Sequence, residues 1–348
     1  MGHDVFLLPA DEGRYAMLQN NSYLRDLFSD KLITIFKREH KRKAFNCFFS
    51  YLYDGMINCS VIDEISDMGV ITFNFSCNNT HQFNLVKKLS PYYNVNLHSE
   101  KYAGHKFKSI GANPLWWPMA SNPNYYSPTK LNKEIDVSFV GANYPPRAKY
   151  MKYLFNNNVD IQLFGSGWNY YQSSSRFRSN IKKYIKKFNS VFSLSSNRRL
   201  TEKAELEYVM ITNELNKQSP HSIHSILSDH ELISLYSRSK ISLGILDVHE
   251  NHDPSLSLQK HLHLREFEAP MCGALYCTGF SDEISEMFEP GKEILTYSSY
   301  QEMVELIEYY LLHEAEANQI REAGYQRALN DHTYHIRFKQ LFESIGLT

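Results

Sequence analysis

An α/β chain built on two parallel sheets is what the sequence predicts, and three observations predict it. Short apolar runs alternate with helical patterns through both halves, the rhythm of β-α-β units, whose strands must run parallel. A polar stretch without periodicity, SNPNYYSPTKLNKE at 121–134, carries Pro123 and Pro128 and separates the halves. The 348 residues also exceed what one hydrophobic core usually supports, so two domains of ordinary size are expected.

In the first half the strand-like runs are DVFLLP (4–9), FNCFFSYLY (45–53), GVITFNFS (69–76), YNVNLHS (93–99) and PLWWPMA (114–120). Helical patterns such as VIDEISDM and EKYAGHKFKSI lie between them. The second half restarts with DVSFVGANYPPR (136–147), which reads as strand, glycine turn and a helix opened by Pro145 or Pro146. VDIQLFGSGW (159–168) reads as a strand ending in glycines. HELISLYSRSKISLGILDV then predicts a helix and a strand at 241–246, and ALYCT a further strand. Helices are expected at 299–313 and 316–329, with DHTYHIRFKQLFESI after them. The expected division is 1–125, then 135–330, with 331–348 a helix crossing back to the first domain. Ligands of such open sheets bind at the carboxyl ends of the strands, here in a cleft between two sheets.

Composition narrows the function classes. A formal net charge of -1 exerts no global pull toward nucleic acid. No run of ~18 apolar residues is present, and the first residues lack a basic, apolar leader pattern. Phe6 stands where a myristoylation signal needs Ser or Thr. The five scattered cysteines (47, 59, 77, 272 and 277) form no CxxC pair and read as free thiols in a reducing compartment. A soluble cytoplasmic chain is expected. His261 and His263 alone are a weak ligand pattern, so no metal is expected.

The segment LREFEAPMCGALYCTGFSDE (264–283) carries the chemistry. In a helix over 264–272, Arg265, Glu268 and Cys272 share one face. A helix N-terminus with an arginine beside it suits a diphosphate, and Glu268 suits ribose hydroxyls. Ser281 and Glu283 read as the N-cap and acidic first turn of the next helix, with a weaker claim on the donor side. Spacing alone favours an amphipathic helix whose Arg and Glu form a solvated pair worth ~0.3–0.5 kcal/mol.

REFEAPMCGALYCT, the FEPGKEILTYSSYQEM segment after it, DVSFVGANYPPR, LFGSGW and LYSRSKISLGI occur in the order seen in the CgeB-like branch of the group 1 glycosyltransferases, and the chain resembles that family over residues 60–340. The resemblance implies a GT-B fold of two Rossmann-like domains and no metal requirement. It also implies a nucleoside-diphosphate sugar, a UDP-sugar foremost, held by the second domain, with the acceptor on the first and no further cofactor. Glu268 matches the glutamate near the donor ribose, and Arg265 an arginine near the phosphates. Gly141, Asn143 and Arg147 match the turn that opens the donor domain. Gly165 and Gly167 match a close backbone approach under the base, or else a plain strand-to-helix turn. Many relatives carry a glutamate where this chain has Lys260, so Lys260 or Arg265 is expected to stabilise the departing diphosphate. GHDVFLL resembles a second strand of such a first domain; either the chain starts late or its acceptor domain is trimmed. Asp54 and His81, in loops after strands, are the candidate bases.

One feature is unexplained by that pattern. Residues 171–200 carry Arg176, Arg178, Lys182, Lys183, Lys186, Lys187, Arg198 and Arg199 with no acid, interleaved with apolar residues at helical spacing. A helix packed on its own domain fits this, as does docking on an anionic membrane surface or a phosphate backbone through 176–199. A second cluster, Lys37, Arg38, Lys41, Arg42 and Lys43, would reinforce either. The acceptor classes are therefore a surface glycan, a lipid-linked or a small molecule, with a modified DNA base as the alternative. A noncatalytic nucleotide-sugar-binding protein is a further alternative.

Overall fold

The computed structural model describes residues 3–168, 196–250, 253 and 256–347. Its contacts divide the chain into two units, Met1–Pro118 and Met119–Thr348. Both are α/β and each is organised on a parallel sheet.

The first unit opens with two helices, α1 (Asp11–Leu18) and α2 (Ser22–Arg42), which the strand rhythm did not predict. The side chain of Asn21 caps α2 by accepting from Leu24 N–H. Strands β1 (Cys47–Ser50), β2 (Ile71–Ser76), β3 (Val95–His98) and β4 (Pro114–Trp116) pair in the order β1-β2-β3-β4. Helices α3 (Cys59–Asp67), α4 (Asn79–Gln82) and α5 (Gly104–Lys108) connect them. Phe28, Leu32 and Phe36 recur every fourth residue along α2 and are buried with Val61, Ile62 and Ile65 of α3. The DVFLLP run is a correction: it forms no strand, and Val5 and Leu7 are 74% and 83% exposed. A strand needs a neighbour to satisfy its backbone, and among the described residues this run pairs with none; Asp4 makes an exposed ion pair with Lys43.

In the second unit six parallel strands lie in the order β12-β11-β8-β5-β6-β7. These are β5 (Ile135–Val140), β6 (Ile161–Phe164), β7 (Ile223–His224), β8 (Ser239–Leu243), β11 (Tyr276–Gly279) and β12 (Leu295–Tyr297). Between them run α6 (Pro145–Asn156), α7 (Ser196–Gln218), α8 (Asp229–Arg238), α9 (Arg265–Met271) and α10 (Asp282–Met287). A short antiparallel hairpin, β9 (Asp247–His249) with β10 (Leu258–Lys260), precedes α9. Helices α11 (Tyr300–Leu312), α12 (Glu314–Asp331) and α13 (Tyr334–Ser344) complete the chain. Val137, Phe139, Leu163 and Ile241 of the sheet pack with Met151, Leu154, Leu215 and Ile307 of the helices in one core. The start of α13 pairs within this unit: Ser121 N–H donates to His332 O, and Tyr334 N–H to Ser121 O.

The basic run expected over 171–200 falls outside the described residues up to 195; Arg198 and Arg199 lie in the first turns of α7. The second basic cluster is largely neutralised by neighbouring acids, Lys37 by Glu64, Arg38 and Arg42 by Glu39, and Lys43 by Asp4. Among the described residues no helix is long and apolar enough to cross a membrane.

Candidate functional site

The carboxyl edge of the second sheet gathers the loops after β5 and β6 and the segment between β10 and β11. The β5–α6 turn is the most constrained of them. Gly165, at φ +139°, lies so close to the turn that a Cβ there would stand 2.3 Å from Gly141 O. The same carbonyl accepts from the buried Trp168 indole at 2.7 Å. A Cβ on Gly141 would meet the Arg147 guanidinium at 2.5 Å. These glycines are thus required by the chain's own packing. Asn143 ties the turn to α7, donating to Thr212 Oγ1 at 3.1 Å, and Gly167 packs against its backbone.

Arg147 points back from the first turn of α6 and is 3% exposed. It donates to Ala142 O at 3.0 Å and to His263 Nε2 at 3.1 Å. Its guanidinium carbon lies 4.0 Å from the Tyr144 ring centre and 5.3 Å from that of Phe139. Nε is buried without a partner among the described residues. Burial pulls the Arg147 pKa down to about 10, and the Arg265 charge adds to the depression while Tyr144 opposes it. Two guanidiniums therefore share one desolvated region. Burial also works against the charge of Arg265, but Tyr236, Tyr276, Glu266 and Glu268 around it more than offset this and hold its pKa above the ordinary value.

Glu266 and Glu268 sit two residues apart on α9, about 200° round the helix, and consequently face different surroundings. Glu266 is completely buried against the sheet. It accepts from His263 N–H, from Tyr276 Oη at 3.1 Å and, at 3.5 Å, from Thr278 Oγ1. Glu268 is 8% exposed and is hydrogen-bonded by the Tyr126 phenol. Burial raises both carboxyl pKa values; the His263 N–H moderates the rise for Glu266, and Tyr126 that for Glu268. Helix α9 is short, ending at Met271 with Cys272 as its C-cap and Gly273 at φ +69°.

The remaining expected residues divide between the two units. Lys260 reaches the end of β11, where its ammonium lies 3.6 Å from the Cβ position of Gly279. It is ion-paired at 2.6 Å with the buried Asp247, which also accepts from Tyr150. Ser281 caps α10 by accepting from Ile284 N–H, and Glu283 is buried in the first turn of that helix. Asp54 and His81 belong to the first unit. The Asp54 carboxylate accepts from Lys88 N–H and Leu89 N–H, each at 2.9 Å, and so pins a loop. His81 is buried in α4, entered through left-handed Asn78 at φ +66°. Tyr144, His263, Glu266 and Tyr276 were not read as site residues; the HLH and REFE patterns held two of them, without the partners that give them a role.

A family model described as glycosyl transferase-like matches residues 130–343, a span that contains Gly141, Asn143, Arg147, Gly165, Gly167, Arg265, Glu268, Ser281 and Glu283. The chain belongs to that family. The resemblance to CgeB-like group 1 glycosyltransferases read from the motifs is therefore correct. No curated protein matches the sequence. Solved structures match the fold at low identity. A glycosyltransferase from Rickettsia africae aligns with a TM-score of 0.59 at 9% identity, covering 89% of this chain and 79% of that one. Sucrose-phosphate synthase from Thermosynechococcus elongatus gives 0.55 at 11%, covering 91% and 78%. HepE of Anabaena, solved with UDP-glucose, gives 0.54 at 10%, covering 91% and 82%. The family member described here has the two-sheet GT-B fold of these enzymes.

Proposed function

We propose that this glycosyl transferase-like protein moves a sugar from a UDP-sugar to an acceptor hydroxyl, with the donor held at the carboxyl edge of the second sheet. The observation that carries the reading is the buried Arg147 guanidinium, which has no carboxylate partner among the described residues and whose pKa burial and the nearby Arg265 charge both lower. Such a charge is costly to bury unless an anion completes it. A diphosphate supplies two negative groups at the spacing of adjacent side chains. Glu268, on the same face of α9 as Arg265, is assigned to the ribose hydroxyls, and Gly165 and Gly167 to the wall beside the base. The UDP-glucose complex of HepE, which has the same fold, supports uridine as the base.

In the transfer the bond from the sugar's anomeric carbon to the diphosphate breaks, its electron pair leaves with UDP, and the acceptor oxygen bonds to that carbon as it loses its proton. The arginines stabilise charge that grows on the leaving diphosphate. Lys260 is a weaker candidate for this task because Asp247 already neutralises it. Asp54 is a weak candidate base, because its carboxylate is engaged by backbone N–H groups. Because the arginines provide the positive charge, UDP binding is expected to survive a chelator. The acceptor classes remain those named from the sequence.

Titration calorimetry and thermal shift with UDP, GDP, dTDP, CMP and ADP test the donor assignment. A ligand at 100 times its Kd adds ~2.7 kcal/mol of stability, and UDP is expected to give the largest shift. Arg265→Ala should lose UDP binding and transfer while unfolding at nearly the same urea concentration. A fully transferring Arg265→Ala protein, or no shift with any of the five nucleotides, overturns the proposal. UDP binding without sugar transfer to any acceptor would favour the noncatalytic alternative.

A further inference from the structure

We infer that His263, held by Glu266, is a positioning residue that keeps Arg147 aimed at the donor diphosphate only while its imidazole is neutral. The inference rests on the donor reading above and adds a pH limit to it. Arg147 can only donate, so the 3.1 Å contact requires His263 Nε2 to be the acceptor. The imidazole proton must then sit on Nδ1, which faces Glu266 Oε2 at 3.7 Å. Glu266 is in turn held by the N–H of His263 and by Tyr276 on β11. The chain of contacts runs from the sheet through Glu266 and His263 to Arg147, whose Nη1 is bound to Ala142 O. Gly141 leaves no alternative space on that side, since even a Cβ there would stand 2.5 Å from Nη1.

Protonation of His263 replaces the acceptor lone pair with an N–H directed at the guanidinium. The imidazole has Arg147 3.1 Å from Nε2 and Glu266 3.7 Å from Nδ1, with the His261 ring centre 4.6 Å from its own. A second positive charge beside Arg147 breaks its hydrogen bond and frees the guanidinium to rotate. The loss is one of aim, since the total positive charge rises. A site working by simple attraction would instead bind UDP more tightly in acid.

The test is UDP affinity by calorimetry from pH 8 to pH 5 in the wild type, His263→Gln, His263→Phe and Glu266→Gln. The amide side chain introduced by His263→Gln offers an oxygen to Arg147 and does not titrate. Wild-type affinity is expected to fall from pH 8 toward pH 5 by up to about tenfold per pH unit beyond the change due to UDP's own ionisation. His263→Gln should show only the UDP component and match the wild type at pH 8, whereas His263→Phe should bind weakly at every pH. Glu266→Gln should move the acid limb. Identical pH profiles for the wild type and His263→Gln, or full affinity in His263→Phe, overturn this inference and leave the donor reading intact. Absence of UDP binding by the wild type at all pH values overturns both.

Discussion

His332 offers a quantitative test of how the back of α9 is held. It lies at the end of α12, 4% exposed, with its ring centre 5.4 Å from that of Phe267 on α9 and 4.8 Å from that of Phe288. Nε2 donates to Met287 O at 2.7 Å, and Nδ1 accepts from Arg337 at 2.9 Å. Both nitrogens are satisfied only in the neutral ring, because a proton on Nδ1 would oppose an arginine. Burial accordingly pushes its pKa from 6.5 down to about 4, with the Met287 carbonyl opposing and Arg337 and Arg327 reinforcing the shift. In the unfolded chain the imidazole returns to its ordinary value, so the unfolded state binds the extra proton. The contribution is fully present above pH 6.5 and is lost as the pH falls toward 4. The full window corresponds to about 3 kcal/mol, of which about 2 kcal/mol is lost by pH 5. Urea unfolding followed by circular dichroism at pH 7 and pH 5 measures this directly. His332→Gln keeps a donor and an acceptor but does not titrate; it should start less stable and then lose about 2 kcal/mol less than the wild type over the same interval. Equal losses in the two proteins would refute the neutral, buried assignment.

Gly165→Ala should destabilise the second unit by about 3 kcal/mol or more, because φ +139° is nearly closed to alanine and the new Cβ would strike a backbone carbonyl; a urea midpoint equal to the wild type would contradict it. Leu154→Ala, at a fully buried position of α6, should cost about 2–5 kcal/mol by the same measurement. Lys260→Met should cost about 1–3 kcal/mol, since it strands the buried Asp247 carboxylate beside Tyr150. It should leave UDP affinity within about tenfold of the wild type, and a larger loss in calorimetry would return Lys260 to the diphosphate.

Much of the architecture was legible because its signals are local. Alternating apolar runs marked all four strands of the first sheet and most of the second, and the glycine turns at 141 and 165–167 fell where strands end. DVFLLP was misread for an equally physical reason: an apolar run has strand propensity, but a strand forms only where another strand accepts its backbone bonds. The α2 helix has its own local signal, Phe28, Leu32 and Phe36 recurring on one face, which the strand rhythm does not carry.

By itself the sequence determined the two parallel sheets, the family, and Arg265 and Glu268 as a pair on one short helix. Only the tertiary structure decided which charges are already neutralised and which stand open. Lys260 is paired through a hairpin contact with Asp247, and Asp54 is consumed by a loop. Arg147 donates to a histidine 116 residues away along the chain. Spacing along a chain encodes periodicity and short-range faces, whereas the state of a charge depends on the partners that folding brings within a few ångströms and on the water it removes.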